Sequence, residues 1–217
     1  MTSAPSEFRV ALTFDAEHPD RPARAGNDRR LLDVLARLEV QGTFFVQGRW
    51  AEAFPDVARG IAAAGHRIGH HSHYHARMDG LSAQGLSSDI ARGESAILEA
   101  TGIDPHPWFR CPFGAGDDDR RVQAAVRSAG YRHIGWHVSA VDWEPARSGR
   151  DVETTVVEGA LARGDAVVVL QHTWPDQTVA ALPAIVRRLR ARGATFVRID
   201  ELPERGLPRR DVSSAAA

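Results

Sequence analysis

A run of histidines at residues 69–75 is the stretch of this sequence best suited to chemistry. It reads Gly-His-His-Ser-His-Tyr-His and holds four of the chain's ten histidines. On a helical turn, His71 and His75 would project from the same face because they lie four residues apart. Neutral imidazole binds zinc, cobalt or nickel well, and a catalytic ion takes about three protein ligands and a water. The run therefore predicts part of a divalent metal site with a further ligand from elsewhere, although a histidine-rich surface loop need not bind metal.

Length and composition indicate a single globular domain. The 217 residues are enough for one sizeable core, and 43% hydrophobic with 25% charged residues is typical of soluble proteins. A formal charge of -1 provides no field that would attract nucleic acid or an anionic membrane, so neither is an expected partner. Cys111 is the only cysteine, which excludes an intrachain disulfide. The first residues lack a basic and apolar leader, which predicts a cytoplasmic location unless a secretion signal has been removed. The oligomeric state is left open.

Seven predicted strands, alternating with helices, would position the reactive residues. Short β-branched or aromatic segments predict the strands, at residues 9–14, 43–46, 67–68, 108–110, 131–136, 166–170 and 194–199. Apolar faces at helical spacing predict the helices, at about residues 27–38, 55–64, 82–100, 119–129, 151–161 and 178–191. Asn27 is the predicted N-cap of the first helix. This alternation favours a parallel, barrel-like α/β sheet with active groups at the carboxyl ends of its strands.

Five of the predicted strands end in groups that could bind or transfer protons. These groups are Asp15 with Glu17, His71 with His75, Arg110, Asp142 with Trp143, and His172. Taken singly, an aspartate at a strand end is more often a helix cap or an ion-pair partner, and a lone histidine is more often a packing residue. Their order on successive strands is what carries information.

The ordered set resembles the polysaccharide deacetylase family, the NodB-homology carbohydrate esterases, over about residues 8–202. Its five motifs are similar to Thr13-Phe14-Asp15-Ala16, His71-Ser72-His73-Tyr74-His75, Arg110-Cys111-Pro112-Phe113-Gly114, Asp142-Trp143 and Leu170-Gln171-His172. The resemblance implies a distorted (β/α)7 barrel. The polar and small residues that follow it predict a flexible tail at residues 203–217. The resemblance also implies metal-dependent removal of an acetyl group from an amino sugar or a sugar.

The resemblance implies a role for each matching residue. Asp15 would be the general base that deprotonates water, and Arg110 would orient and charge its carboxylate partner. His172 would be the general acid, and Asp142 would keep it protonated. The remaining matches would bind substrate, through the backbone N–H of Phe113 and the acetyl pocket walls Trp143 and Leu170, which can also be core residues.

The first motif departs from the family at the position of a usual metal ligand. The family commonly has a second aspartate where this chain has Ala16, which offers no ligand atom. In an extended strand Glu17 would project to the same side as Asp15, so we predict Glu17, His71 and His75 as the ligands. The other histidines nearby are substitutes, with His73 expected to point away from the site and with His18 and His70 expected to line the cleft.

Two functions follow from these residues. The first is a deacetylase acting on an N-acetylated amino sugar or a related small amide, with zinc as the expected divalent ion and cobalt or nickel as alternatives. The lack of a leader favours an intracellular small molecule over a wall polymer as its substrate. The second is a metal-free, catalytically silent carbohydrate-binding relative, which Ala16 favours.

Overall fold

The strand that begins the domain is the centre of its sheet. The structure is a computed structural model that describes residues 7–20 and 24–208. Eight strands form one sheet: β1 (Arg9–Ala16), β2 (Thr43–Val46), β3 (Arg67–His70), β4 (Trp108–Phe109), β5 (Arg132–His133), β6 (Val138–Ser139), β7 (Val167–His172) and β8 (Thr195–Phe196). Their order is β5-β4-β3-β2-β1-β7-β6, with β8 paired to the start of β1, and every pairing is parallel.

The parallel register brings the carboxyl ends of the central strands to one edge. Asp15 of β1 lies opposite His172 of β7, and His70 of β3 lies opposite both Val46 and Phe109. The strands curl into a partial barrel, and residues 134–137 connect its two ends, β5 and β6. The predicted α/β distorted barrel is confirmed.

Helices cover the outside of the curled sheet. They are α1 (Asn27–Arg37), α2 (Gly48–Ala53), α3 (Pro55–Ala63), α4 (Ala83–Thr101), α5 (Arg120–Ser128), α6 (Gly149–Arg163) and α7 (Asp176–Arg190). Because side chains alternate along a strand, Leu12, Phe14 and Ala16 of β1 pack in the large outer core beneath the helices. Ala11 packs in a smaller cluster with Phe45 and Val168.

Side chains cap the start of several helices. Ser82 accepts from the Gly85 amide at α4, Asp119 accepts from the first amides of α5, and Ser148 forms a capping box at α6. The prediction that Asn27 caps α1 is wrong. Asn27 is the first helical residue, and its side-chain amide donates to the carbonyls of Thr173 and Trp174, which ties α1 to the loop after β7.

Other element predictions are wrong in their extent. The strand predicted at residues 131–136 covers only β5, and the sequence does not reveal β6 or the short helix α2. The last strand ends at Phe196, three residues before its predicted end, and a 3-10 turn (Ile199–Glu201) begins at the residue where the strand was predicted to end. Short elements like these contain too few residues for a periodic pattern.

Ordered packing continues past the predicted domain end at residue 202. A 3-10 turn (Glu204–Gly206) follows, and Leu207 is buried in the cluster that contains Phe45 and Val168. The start of the predicted tail is therefore packed against the domain, and residues 209–217 lie outside the described residues. In the described ranges, no helix combines the length and apolar character needed to cross a membrane.

Candidate active site

Two carboxylates project from the carboxyl end of β1 towards the same side. Asp15 and Glu17 are both buried, with only 3% and 5% of their surface exposed. The side chain between them, Ala16, is fully buried in the opposite direction, against the outer core. Because the chain stays extended through Ala16, the alternation of side chains turns residue 17, and not residue 16, towards the site.

The histidine loop meets Glu17 through a tight turn. The segment forms no helical turn, since β3 ends at His70 and both Ser72 and His75 have left-handed backbone angles, φ 60° and 59°. The predicted approach of the two imidazoles to Glu17 is nevertheless present. Glu17 Oε2 lies 3.2 Å from His71 Nε2 and 2.5 Å from His75 Nε2.

These groups suit a divalent cation. His71 Nδ1 lies 2.9 Å from the Arg110 carbonyl, and if this nitrogen carries the proton, Nε2 presents a lone pair to the site. His75 Nε2 is buried beside Glu17 Oε2, yet the contact lacks hydrogen-bond geometry. This is expected if both atoms are directed at one ion rather than at each other. Nitrogen and carboxylate oxygen together are a donor set that zinc, cobalt and nickel accept. The residues present therefore fit the ion, and their role as ligands stays a prediction.

Neighbouring histidines keep the Glu17 carboxyl group ionised. Burial would raise the pKa of this carboxyl group, but its contacts with His71 and His75 outweigh burial and hold the pKa well below its ordinary value. Glu17 is therefore an anion at neutral pH, which is the form that binds a cation.

A buried arginine holds the first carboxylate. Arg110 is fully buried after β4, and its Nη1 donates to Asp15 Oδ1 at 2.7 Å. The remaining guanidinium nitrogens donate to the carbonyls of Ile134 and Gly135, in the segment that connects the two ends of the sheet. Asp15 Oδ2 then lies 3.5 Å from His71 Nε2, within the site.

A second histidine and aspartate face the first group. His172 Nδ1 lies 2.8 Å from Asp142 Oδ1, while the other oxygen of Asp142 accepts from the His172 amide and the Thr178 hydroxyl. Burial lowers the pKa of His172, but the neighbouring Asp142 carboxylate more than compensates and raises that pKa to about 9. His172 Nε2 points into the site, 3.9 Å from Glu17 Oε1.

Both groups open into a cavity of about 310 Å³. The predicted residues Phe113, Trp143 and Leu170 all line it. Phe113 is 59% exposed and Trp143 is 38% exposed, so both are available to a ligand at the mouth. The ring of Phe113 also makes an edge contact with His75, at 4.5 Å between centroids.

Several residues at this site were not predicted. Trp136 and Cys111 line the cavity, and Thr178 helps to hold Asp142. Gln47 directly follows β2 and connects the turn after β1 to the histidine loop. Position at or just beyond the end of a predicted strand is a signal that could have identified Trp136 and Gln47. Nothing in the sequence distinguishes Thr178 from other residues of its helix.

The side chains of the other histidines in this region point in different directions. His18 lines the cavity, as predicted, and His73 points away towards Glu52 at 3.0 Å, also as predicted. The prediction that His70 lines the cleft is wrong. Its buried ring contacts the Ile90 carbonyl and accepts from the Ser72 amide, so it shapes the histidine loop from behind.

Comparisons with known proteins agree on a family. The sequence profile for polysaccharide deacetylase matches residues 2–134, more than half of the chain. A chitooligosaccharide deacetylase from Rhizobium leguminosarum is 32% identical over 199 residues, covering 85% of this chain and 86% of that one. A peptidoglycan-N-acetylglucosamine deacetylase from Listeria monocytogenes is also 32% identical, over 92% of this chain but only 40% of the longer relative.

Solved structures share the fold. A family 4 acetyl xylan esterase from Clostridium thermocellum, in complex with a cobalt ion, superposes with a TM-score of 0.77 at 28% identity, over 89% of each chain. A mutant of a family 4 pseudoenzyme with restored enzymatic activity gives a TM-score of 0.77 at 26% identity, over 92% of this chain and 68% of that one. With the profile, the sequence relatives and the superposed folds in agreement, the chain belongs to the polysaccharide deacetylase family.

Proposed function

We propose that this protein is a metal-dependent deacetylase that removes the acetyl group from an N-acetylated amino sugar or a related small amide. The observation that carries the proposal is the convergence of Glu17, His71 and His75, with the paired His172 and Asp142 across the same cavity. Peptidoglycan and chitooligosaccharide deacetylases among its relatives support an acetylated sugar as the substrate class.

The proposed reaction needs help at two points. An amide carbonyl is a poor electrophile and neutral water is a poor nucleophile. A divalent ion held by Glu17, His71 and His75 would polarise the carbonyl and lower the pKa of water. Side chains of the protein would then accept the proton of the water and donate a proton to the leaving amine.

Asp15 is the proposed general base. Its Oδ1 is engaged by Arg110, which fixes the carboxylate, and its Oδ2 faces the ligand group and can accept a proton from water. Hydrogen bonding from a fully buried guanidinium keeps this carboxylate in one orientation, which is a requirement for efficient proton transfer.

His172 is the proposed general acid. An amine leaves readily only when it is protonated, and the effect of Asp142 keeps His172 protonated at neutral pH. Its Nε2 faces the cavity, whereas its Nδ1 is held by Asp142. The backbone N–H of Phe113 is the proposed donor to the developing oxyanion, and Trp143 with Leu170 is the proposed enclosure for the acetyl methyl group.

Acetate release from N-acetylated glucosamine oligomers and small acetamides tests the proposal. We expect turnover by metal-loaded protein, loss of turnover on chelation, and a fall of about 10²–10⁴-fold in kcat for Asp15→Asn, the range for removal of a general base. Asp20→Asn is the matched control, since Asp20 is exposed and pairs with Arg49. Absence of turnover over the whole panel by protein shown to contain metal would contradict the proposal.

The second candidate is a catalytically silent relative. Ala16 favours it, because no ligand atom stands at that position, and pseudoenzymes exist in this family. Sugar binding by the protein without any bound ion would support this candidate, whereas a bound ion that depends on Glu17 would exclude it.

A further inference from the structure

A third imidazole lies against the carboxylate that the proposed metal site depends on. Ligand atoms of Glu17, His18 and His75 all lie within 4.8 Å of one another. Glu17 presents its two oxygens to different partners. Oε2 faces His71 and His75, while Oε1 lies 3.3 Å from His18 Nε2.

A reversal of the backbone directs His18 to this position. Continued extension of β1 would point residue 18 away from Glu17, since successive side chains of a strand alternate. His18 instead has a left-handed φ of 56°, and its ring makes an edge-to-face contact with the His75 ring, with 4.3 Å between centroids.

Hydrogen bonds from Gln47 fix the turn at His18 relative to the histidine loop. Its side-chain oxygen accepts from the His18 amide at 2.8 Å, and its side-chain nitrogen donates to the His73 carbonyl at 3.1 Å. Its own amide donates to the Ala16 carbonyl at 2.9 Å. One buried residue therefore connects the turn that carries Glu17 and His18 to the loop that carries His71 and His75.

We propose that His18 is a further ligand of the divalent ion, beside Glu17, His71 and His75. This inference rests on the metal site of the proposed function. A carboxylate and three imidazoles leave room for water and substrate only on an ion that accepts five or six ligands. Zinc can expand to five-coordination, and cobalt and nickel accept such ligand numbers in sites of nitrogen and oxygen.

Proton NMR of the protein loaded with Co²⁺ tests the assignment. Each coordinated imidazole that keeps a ring N–H contributes a strongly shifted exchangeable resonance. We expect such signals from His18, His71 and His75, and the loss of one in His18→Gln. Competition with a chelator should show Co²⁺ bound at least about 100-fold more weakly by this variant, beyond the loss typical of outer-shell substitutions.

The choice of glutamine separates ligation from a supporting hydrogen bond. Its amide can still donate to Glu17 Oε1 but provides no imidazole nitrogen. An unchanged set of shifted resonances with unchanged Co²⁺ affinity in His18→Gln would overturn the inference. His106→Gln is the matched control, because the His106 side chain is 29% exposed against 26% for His18 and lies outside the site.

The result also separates this inference from the proposed function. A wild-type protein that binds Co²⁺ with resonances from His71 and His75 alone overturns the role of His18 and leaves the deacetylase proposal standing. Failure to bind Co²⁺ at all would overturn both. Binding through His18 in a protein that releases no acetate would support the site and contradict the proposed reaction.

Discussion

A shift of one position along a strand decides the chemistry of this site. The side chain at position 16 is turned into the outer core, so the methyl group of Ala16 suits its surroundings there. Position 17 faces the two histidines, and glutamate supplies there the carboxylate that position 16 lacks. We therefore expect the next side chain that the strand points inward to compensate for the departure from the family pattern.

The pair formed by His172 and Asp142 predicts how turnover depends on pH. Asp142→Asn removes the charge that raises the pKa of His172 to about 9, so this pKa should fall towards its ordinary value near 6.5. The general acid would then lose its proton at lower pH, and the basic limb of the pH profile of kcat should move to lower pH. Turnover near pH 8 should suffer more than turnover near pH 6.

The control for this substitution is Asp176→Asn. Asp176 is half exposed at the start of α7 and pairs with Arg30, away from the cavity. Its pH profile should match that of the wild type. A basic limb that stays in place in Asp142→Asn would show that His172 is not the acid.

Helices shape the histidine loop from outside the sheet. A Cβ atom added at Gly48 of α2 would lie 2.6 Å from the His73 ring, and one added at Gly93 of α4 would lie 2.6 Å from the His70 ring. Such distances are too short for any side chain, so α2 and α4 approach the loop as closely as glycine permits. The loop is thereby held against β3 by packing as well as by hydrogen bonds.

Gly93→Ala tests this arrangement. The added methyl group must displace His70, whose ring lies against Ile90 and Ser72, and overpacking of this kind costs about 1–3 kcal/mol. We expect a lower free energy of unfolding in denaturant titrations, together with weaker metal binding. Gly60→Ala in α3 is the control, since its methyl group would meet nothing closer than 3.9 Å. It should stabilise the helix by about 0.5–1 kcal/mol. Equal stability of the two variants would contradict the account.

Sequence patterns were sufficient for several of the strands that carry this site, but not for β6, which precedes Asp142. The apolar segments around Phe14, Phe45 and Val168 predict their strands, and the reactive residues follow from strand ends. What the patterns could not reveal depends on tertiary structure. The left-handed turns at His18 and His75 have no glycine to mark them, and the burial of His70 depends on the approach of α4.

The whole barrel brings together residues that are far apart in the chain. Asp15 and Arg110 are separated by 95 residues, and His71 and Glu17 by 54, yet parallel strands deliver all of them to one edge of the sheet. The curled sheet then places the pair of His172 and Asp142 opposite them, around a single cavity. Within this arrangement, Glu17 is the residue proposed to complete the metal site in a domain without the usual ligand.

Elemental analysis after extensive dialysis, of the wild type and of Glu17→Gln, tests that claim most directly. Glu52→Gln is the control, because Glu52 contacts His73 of the same loop outside the cavity. We predict a stoichiometric divalent ion in the wild type and in Glu52→Gln, and none in Glu17→Gln. A wild-type protein without an ion, or a Glu17→Gln variant that retains it, would contradict the account.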